Sequence, residues 1–183
     1  MGKNTGRPDA VVWMTAAVFV LVAGCSTTGP ATTGTSASGS STSVSPSADV
    51  TQFQTDLAAA VTARPPDYST LERLMGEQFE ILTWHGNGEQ MTPAEAIVQL
   101  RDWLITPTGS VTCSSDRDRI DTALGVDPFE FYRGFASGFV LADGVGDGSD
   151  QALLVVARDA TGRLYWSGML LAWGGFDVAY PDE

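Results

Sequence analysis

Basic and metal-binding side chains are scarce in this chain of 183 residues. Ten Lys and Arg stand against 22 Asp and Glu, a formal charge of −12. That balance excludes a nucleic-acid-binding protein and a protein held on an anionic bilayer by charge, since both need basic patches. A single histidine excludes a metal centre of three imidazoles, and two cysteines exclude a disulfide framework or a zinc site of four thiolates.

The sequence also lacks an apolar run long enough to cross a membrane. Its longest such run, residues 10–23, follows a short polar start that contains Lys3 and Arg7. As a helix this run extends about 21 Å, whereas a bilayer's hydrocarbon core is roughly 30 Å thick. Length and flanking charge therefore predict the apolar part of a signal peptide that directs export.

The residues that follow are more specific. Val22-Ala23-Gly24-Cys25 resembles the processing site of bacterial lipoproteins, in which small residues precede an obligatory cysteine. The resemblance implies that residues 1–24 are removed, that Cys25 becomes the lipid-attachment residue, and that acyl chains hold the protein on a membrane. We expect the protein to be anchored on the extracytoplasmic face of the cell membrane or of an outer membrane, and the sequence does not distinguish between the two.

Residues 25–48 are predicted to form a flexible tether. Of the 22 residues from Ser26 to Ser47, 14 are Ser or Thr, and apolar side chains that would offset the entropy of ordering are nearly absent. Without residues 1–24 the chain has eight Arg, no Lys and 21 acids, a formal −13. Anionic headgroups would repel such a body, so the lipid has to supply the attachment.

Residues 49–183 are predicted to fold as one α+β domain. Helical spacing of apolar residues indicates a helix over Asp49–Ala63, a short second helix with Gly76 as its C-terminal glycine, and a third that begins at Thr92-Pro93. The strands expected are Phe79–His85, Val111–Cys113, Phe135–Ala142, Ala152–Arg158 and Leu164–Trp173, of which the last three form an antiparallel meander. Asp116–Asp121 reads as a charged, solvated segment.

The order of these elements resembles the cone of the nuclear transport factor 2-like superfamily. That fold wraps a bent antiparallel sheet around three helices and leaves an open cavity; a cystatin-like sheet around one helix is the alternative. The segments 74–76 (LMG), 92–97 (TPAEAI) and 159–168 (DATGRLYWSG) resemble a domain of uncharacterised bacterial lipoproteins. This resemblance implies an architecture and no particular activity.

The aromatic residues that could line a pocket or stack on a sugar are Trp84, Trp103, Tyr132, Tyr165, Trp166 and Trp173. Together with the one imidazole, they lead us to place the candidate pocket at Trp84, His85, Trp103, Tyr165 and Trp166. The favoured hypothesis is a domain without catalytic activity that binds a small molecule, a glycan or another envelope protein. The alternative is an isomerase or dehydratase that uses His85 as a base, oriented by Asp102 or Glu80.

One acidic loop has calcium-like spacing. Asp143, Asp147 and Asp150 lie in DGVGDGSD, yet the third and twelfth positions of an EF-hand counted from Asp143 are Val145 and Leu154, which supply no side-chain oxygen. No metal ion or cofactor is therefore predicted.

Overall fold

The structure, a computed structural model, describes residues 46–101, 110–132 and 135–177. Within them the helices are α1 (Ala48–Thr62), α2 (Tyr68–Leu74), α3 (Pro93–Gln99), α4 (Arg117–Leu124) and α5 (Pro128–Phe131). The strands are β1 (Met75–Thr83), β2 (Gly88–Met91), β3 (Thr112–Ser114), β4 (Ala136–Val145), β5 (Asp150–Arg158) and β6 (Leu164–Ala172). The predicted signal peptide, Cys25, most of the tether, Asp102 and Trp103 lie outside the described residues.

The strands form one sheet in the order β2-β1-β6-β5-β4-β3. The predicted meander is confirmed, because β4, β5 and β6 pair antiparallel in sequence. Strand β5 lies between two partners and is buried on both faces, which explains its continuous apolar run. One pair, β1 with β6, is parallel, so the sheet is mixed. Breaks in pairing register along β1, β4 and β6 bend the sheet, and the α+β class is as predicted.

Apolar cores cover both faces of this sheet. The first core lies beneath α1, α2 and α3 and contains Leu57, Phe79 and Trp166, each fully buried. The second core includes Ile120 of α4 and Phe139 of β4 and lies on the opposite face. The described chain thus has two more short helices than the three expected, and both of them belong to the second face.

Helix α4 corrects the prediction of a solvated segment. The Asp116 side chain accepts a hydrogen bond from the Arg119 backbone N–H at 2.9 Å, and Gly125 ends the helix in the left-handed conformation. Ile120 and Leu124, four residues apart, turn one side of the helix into the second core. Two apolar residues among many charges are enough once a sheet face is available to bury them.

The predictions for the end of α2 and the start of α3 had different outcomes. Gly76 directly follows the C-cap residue Met75, as predicted, but it does not take the left-handed conformation of a helix-ending glycine, because it lies in β1 beneath the ring of Tyr165. The start of α3 is confirmed: Thr92 and Glu95 form a reciprocal capping box, and Pro93 occupies the first turn.

Strand β6 departs from strict alternation of its side chains. Trp166 and Met169 both belong to the first core, although they are three positions apart and a regular strand would place them on opposite faces. The reason is a β-bulge: Gly168 pairs with Val155, Trp166 pairs with the next residue of β5, and Ser167 has no partner across the ladder. Strict alternation therefore fails on the N-terminal side of the bulge.

The packing of Phe79 against Trp166 generates a stability prediction. Their ring centroids are 4.6 Å apart and nearly perpendicular, and Phe79 is fully buried. Phe79→Ala should lower the free energy of unfolding by about 3–5 kcal/mol, measured by urea denaturation. The matched control is Phe131→Ala, which removes a ring that is 62% exposed and should change that free energy by less than about 0.5 kcal/mol. Equal losses in the two variants would contradict the assignment of the first core.

Candidate functional site

One cleft of the described surface is lined by polar groups that hydrogen-bond to one another. It lies between α1 and α2, has a volume of about 430 Å³, and is lined mainly by small and charged side chains. Asp67 accepts a hydrogen bond from the Thr70 backbone N–H at 3.1 Å, and Arg73 donates to the Thr70 hydroxyl at 3.2 Å. These hydrogen bonds stabilise α2, and among the described residues this cleft has no buried side-chain polar atom without a partner.

A second cleft lies on the opposite face of the sheet, between β1, β6 and the side chains of Tyr132 and Phe135. Its volume, measured as the space open to the centre of a water molecule, is about 10 Å³, which is room for one small polar group. Its lining residues are Glu80, Leu82, Tyr132, Phe135, Val155, Ser167, Gly168 and Met169. We call this space the β1–β6 cleft.

Glycines on both strands beside β1 allow these strands to approach Glu80 closely. Gly168 lies beside Glu80 in the sheet, and a Cβ atom there would overlap the Glu80 carbonyl oxygen. On the other side, a Cβ atom at Gly88 would overlap the Leu82 side chain and lie 3.1 Å from Glu80 Oε1. The Glu80 carboxylate therefore rises from the sheet with no side chain at either glycine.

The Tyr132 hydroxyl is the exceptional group in this cleft. Its oxygen is buried, and it has no hydrogen-bond partner among the described residues. Buried polar atoms in folded proteins nearly always have a partner, so an unpartnered one requires an explanation. Burial, and to a smaller extent the negative charge of Glu80, raises the pKa of Tyr132 to about 12. The hydroxyl is thus neutral at physiological pH and able both to donate and to accept.

Ser167 adds a second hydroxyl because the bulge turns it into the cleft. Its residue is 6% exposed, and its Oγ donates to the Val155 carbonyl oxygen at 3.0 Å. That bond uses the hydroxyl proton and leaves the oxygen lone pairs as acceptors. Among the described residues, Glu80 takes part in no salt bridge. The floor of the cleft is consequently acidic and rich in acceptors.

An exposed aromatic rim borders this polar floor. Phe135 lines the cleft and is 51% exposed, and Phe131 is 62% exposed with its ring edge-on to Tyr132 at 5.0 Å between centroids. Leu82 is partly buried in the second core and continues the apolar wall. Large apolar side chains exposed beside a polar concavity are typical of binding sites.

The residues predicted for a pocket lie in different parts of the molecule. Trp166 is fully buried in the first core, and its indole N–H donates to the Gly168 carbonyl oxygen at 2.8 Å. Tyr165 is half-buried and lies over Gly76 in β1. Trp103 falls outside the described residues.

Trp84 and His85 do contact each other, at the β1–β2 turn. Their ring centroids are 4.7 Å apart, and Trp84 packs edge-on against Phe176 in the second core. His85 is exposed in the left-handed conformation with φ 63°, which lets the chain turn into β2. It lines neither cleft.

The acidic loop uses its carboxylates on protein groups. Asp143 contacts Arg119 and Gln151, Asp147 contacts Ser149, and Asp150 accepts from the Gly174 backbone N–H. Across residues 46–101, 110–132 and 135–177, no group of three or more His, Cys, Asp or Glu is placed to hold a metal ion.

The sequence does not bring together the three polar residues of the β1–β6 cleft. It offers Tyr132 as one of several pocket aromatics and Glu80 as a partner for His85, and it gives Ser167 no role. The available signal was Ser167-Gly168 in the middle of an apolar strand, since glycine inside a strand often marks a bulge or a close approach. Tyr132 is offered by its aromatic ring alone, and its place beside Glu80 depends on the packing of the short helix α5.

Comparisons with known proteins give distant similarities. No protein-family model and no curated protein matches the sequence. A DUF4783 family protein from Bacteroides ovatus is similar at 9% identity and a TM-score of 0.44, over 64% of this chain and 91% of that one. An NTF-2-like protein of unknown function from Pseudomonas aeruginosa is similar at 16% identity and a TM-score of 0.36, over 68% of this chain and 94% of that one. A domain of unknown function with a cystatin-like fold from Nostoc punctiforme is similar at 15% identity and a TM-score of 0.39, over 68% of this chain and 74% of that one.

None of the helices in the described part of the chain combines the length and apolar character needed to cross a bilayer.

The buried Tyr132 hydroxyl predicts a loss of stability at high pH. An ordinary tyrosine releases its proton near pH 10, whereas folded Tyr132 holds it to about pH 12. Folded protein therefore binds more protons between these values, and the free energy of unfolding falls as the pH rises through them. Tyr132→Phe should make that decline shallower, measured by urea denaturation at pH 9–12. The control Tyr165→Phe, which keeps Tyr132, should decline like the parent; a parent-like decline in Tyr132→Phe would contradict the assignment.

Proposed function

We propose that this chain is a lipoprotein anchored outside the cytoplasm, whose α+β domain binds a ligand or a partner protein without catalysing a reaction. The anchoring half of the proposal rests on the lipobox-like residues Val22–Cys25 and on the short apolar run before them. The first described helix, α1, begins at Ala48, directly after the Ser/Thr-rich stretch. A domain so tethered would move freely above the membrane while its acidic surface is repelled by anionic headgroups.

The binding half of the proposal rests on the buried Tyr132 hydroxyl that lacks a partner in the β1–β6 cleft. A group that enters the cleft and makes this hydrogen bond removes the cost of leaving the hydroxyl unpaired, which is about 1–3 kcal/mol. The space holds one small polar group and no more. The cleft therefore suits the end of a side chain, a sugar hydroxyl or the head of a small molecule.

Catalysis at His85, the alternative hypothesis, receives no support from this geometry. A general base acts on a substrate held within about 3 Å or through one water. His85 is exposed on the β1–β2 turn and lines neither the β1–β6 cleft nor the α1–α2 cleft. Any substrate there would be open to solvent on a turn that also has to reverse the chain direction.

The anchoring half is tested by Cys25→Ser. The parent chain should be recovered in the membrane fraction with an acylated N-terminal Cys25, detected by intact-mass analysis, because two or three acyl chains bind bilayers stably. The variant should lack the acyl mass and leave the membrane fraction. The control Cys113→Ser changes a half-buried thiol of the domain and should fractionate like the parent. Retention of Cys25→Ser in the membrane would overturn anchoring by lipid.

The binding half is tested with 1-butanol, a neutral probe with one hydroxyl and a short apolar stem. The full chain, in a neutral detergent, carries tyrosine labelled with ¹³C at Cζ, and the signal missing from Tyr132→Phe identifies Tyr132. Butanol at millimolar concentration should shift that signal in the parent and equally in His85→Ala, because His85 is outside the cleft. An unmoved Tyr132 signal would overturn binding in the cleft, and a response lost only in His85→Ala would favour the alternative.

A further inference from the structure

The floor of the β1–β6 cleft offers hydrogen-bond acceptors from three separate elements. Glu80 on β1 contributes a carboxylate, Tyr132 after α5 a hydroxyl oxygen, and Ser167 on β6 a second hydroxyl oxygen. The Ser167 proton is already donated to the Val155 carbonyl. Glu80 and Ser167 have only acceptor capacity left, and the Tyr132 oxygen can accept as well, so a ligand that complements this floor brings mainly donors, and a primary ammonium brings three of them.

Charge selects in the same direction. The salt bridges of the described residues join arginines to aspartates and leave the Glu80 carboxylate without a cationic partner. That carboxylate lies near enough to the buried Tyr132 hydroxyl to act on it electrostatically. The chain as a whole carries a formal charge of −12, which also favours a cation over an anion in the cleft.

Size separates the cations from one another. About 10 Å³ is available to the centre of a water molecule, and an ammonium group is close to water in size. A guanidinium is a broader, planar group with five N–H donors, too large for that space. A divalent metal ion usually takes several charged or imidazole ligands, whereas Glu80 is the one carboxylate that lines this cleft, and no three His, Cys, Asp or Glu of the described residues are placed to hold a metal.

The aromatic rim fits the stem that carries such an ammonium. Phe135 and Leu82 line the cleft above Glu80, and Phe131 is exposed beside them. The four methylenes of a lysine bury against apolar surface while the charged end remains on polar groups. An aromatic face near the cation adds a favourable electrostatic contact.

We infer that the β1–β6 cleft binds the ammonium group of a lysine side chain presented by a partner protein, with Glu80, Tyr132 and Ser167 as its acceptors. This inference rests on the binding function proposed above and names the chemistry of what is bound. The single lysine of the sequence, Lys3, lies in the predicted signal peptide, and the remaining basic residues are arginines. The lysine must therefore come from a different protein, and a second processed copy of this chain does not supply it.

The test compares two peptides that differ only in charge. Acetyl-Gly-Lys-Gly-amide and the same peptide with Nε-acetylated lysine are titrated into the full chain in neutral detergent, and the ¹³Cζ signal of Tyr132 is followed. The lysine peptide should shift this signal and bind at least about tenfold more tightly than its acetylated form, since a hydrogen bond to a charged group is worth about that factor. Its affinity should fall as salt is raised.

Two variants of β1 test whether the Glu80 carboxylate supplies the negative charge that binds the lysine peptide. Glu80→Gln keeps the shape of the side chain and removes its charge, and it should weaken the lysine peptide about tenfold or more while the acetylated peptide changes little. Glu77→Gln removes an exposed carboxylate elsewhere on β1 and should bind like the parent. Ser167→Ala should weaken the lysine peptide by a smaller factor. Circular dichroism and the ¹³Cζ signals of the other tyrosines confirm that each variant is folded.

The outcomes separate this inference from the proposed function. Equal binding of the two peptides, or a Glu80→Gln variant that binds the lysine peptide like the parent, would overturn recognition of an ammonium. If 1-butanol still shifts Tyr132 in that case, binding in the cleft stands. If neither butanol nor either peptide moves the signal, the proposed binding and this inference are both overturned.

Discussion

One extra residue in β6 is the constraint on which the candidate site depends. Without the bulge at Ser167 the strand would alternate regularly, and Trp166 would leave the first core. The bulge keeps Trp166 packed on Phe79 while β6 continues beyond it with its apolar side chains on both cores. The cost is a polar side chain, Ser167, on the second face, satisfied by the Val155 carbonyl. Ser167 thus places a hydroxyl group on an otherwise apolar face of the sheet, where it lines the β1–β6 cleft.

The second face completes the site through short helices that are stable only in this context. Helices α4 and α5 have eight and four residues, lengths at which an isolated helix does not persist in water. Asp116 and Asp127 cap their N-termini, and Phe129 packs edge-on against Phe139 of β4 at 4.7 Å. Tyr132, the residue after α5, also packs against Phe139 and so lines the same cleft as Glu80. The binding hypothesis therefore depends on elements with little stability of their own.

The sequence-based predictions succeeded where the signal was local. The capping box of Thr92 and Glu95, the apolar spacing of α1 and the central run of β5 each contain enough information within a few residues. They failed where tertiary burial decided the outcome: the charged stretch after Asp116 became a helix, and Gly76 entered a strand. The pocket predicted from aromatic residues joined Trp84 to Trp166, which lie on opposite faces of the sheet. Aromatic composition alone does not tell which face a ring occupies.

By itself the sequence determined the acidity of the chain, the likeness of its start to a lipoprotein export signal, and the α+β order of its elements. These follow from composition, from short motifs and from periodicity, all of which are properties of neighbours along the chain. Only the tertiary structure decided that Glu80, Tyr132 and Ser167 meet in one cleft. These residues come from a strand, a turn and a bulge far apart in sequence, and long-range strand pairing and packing bring them together.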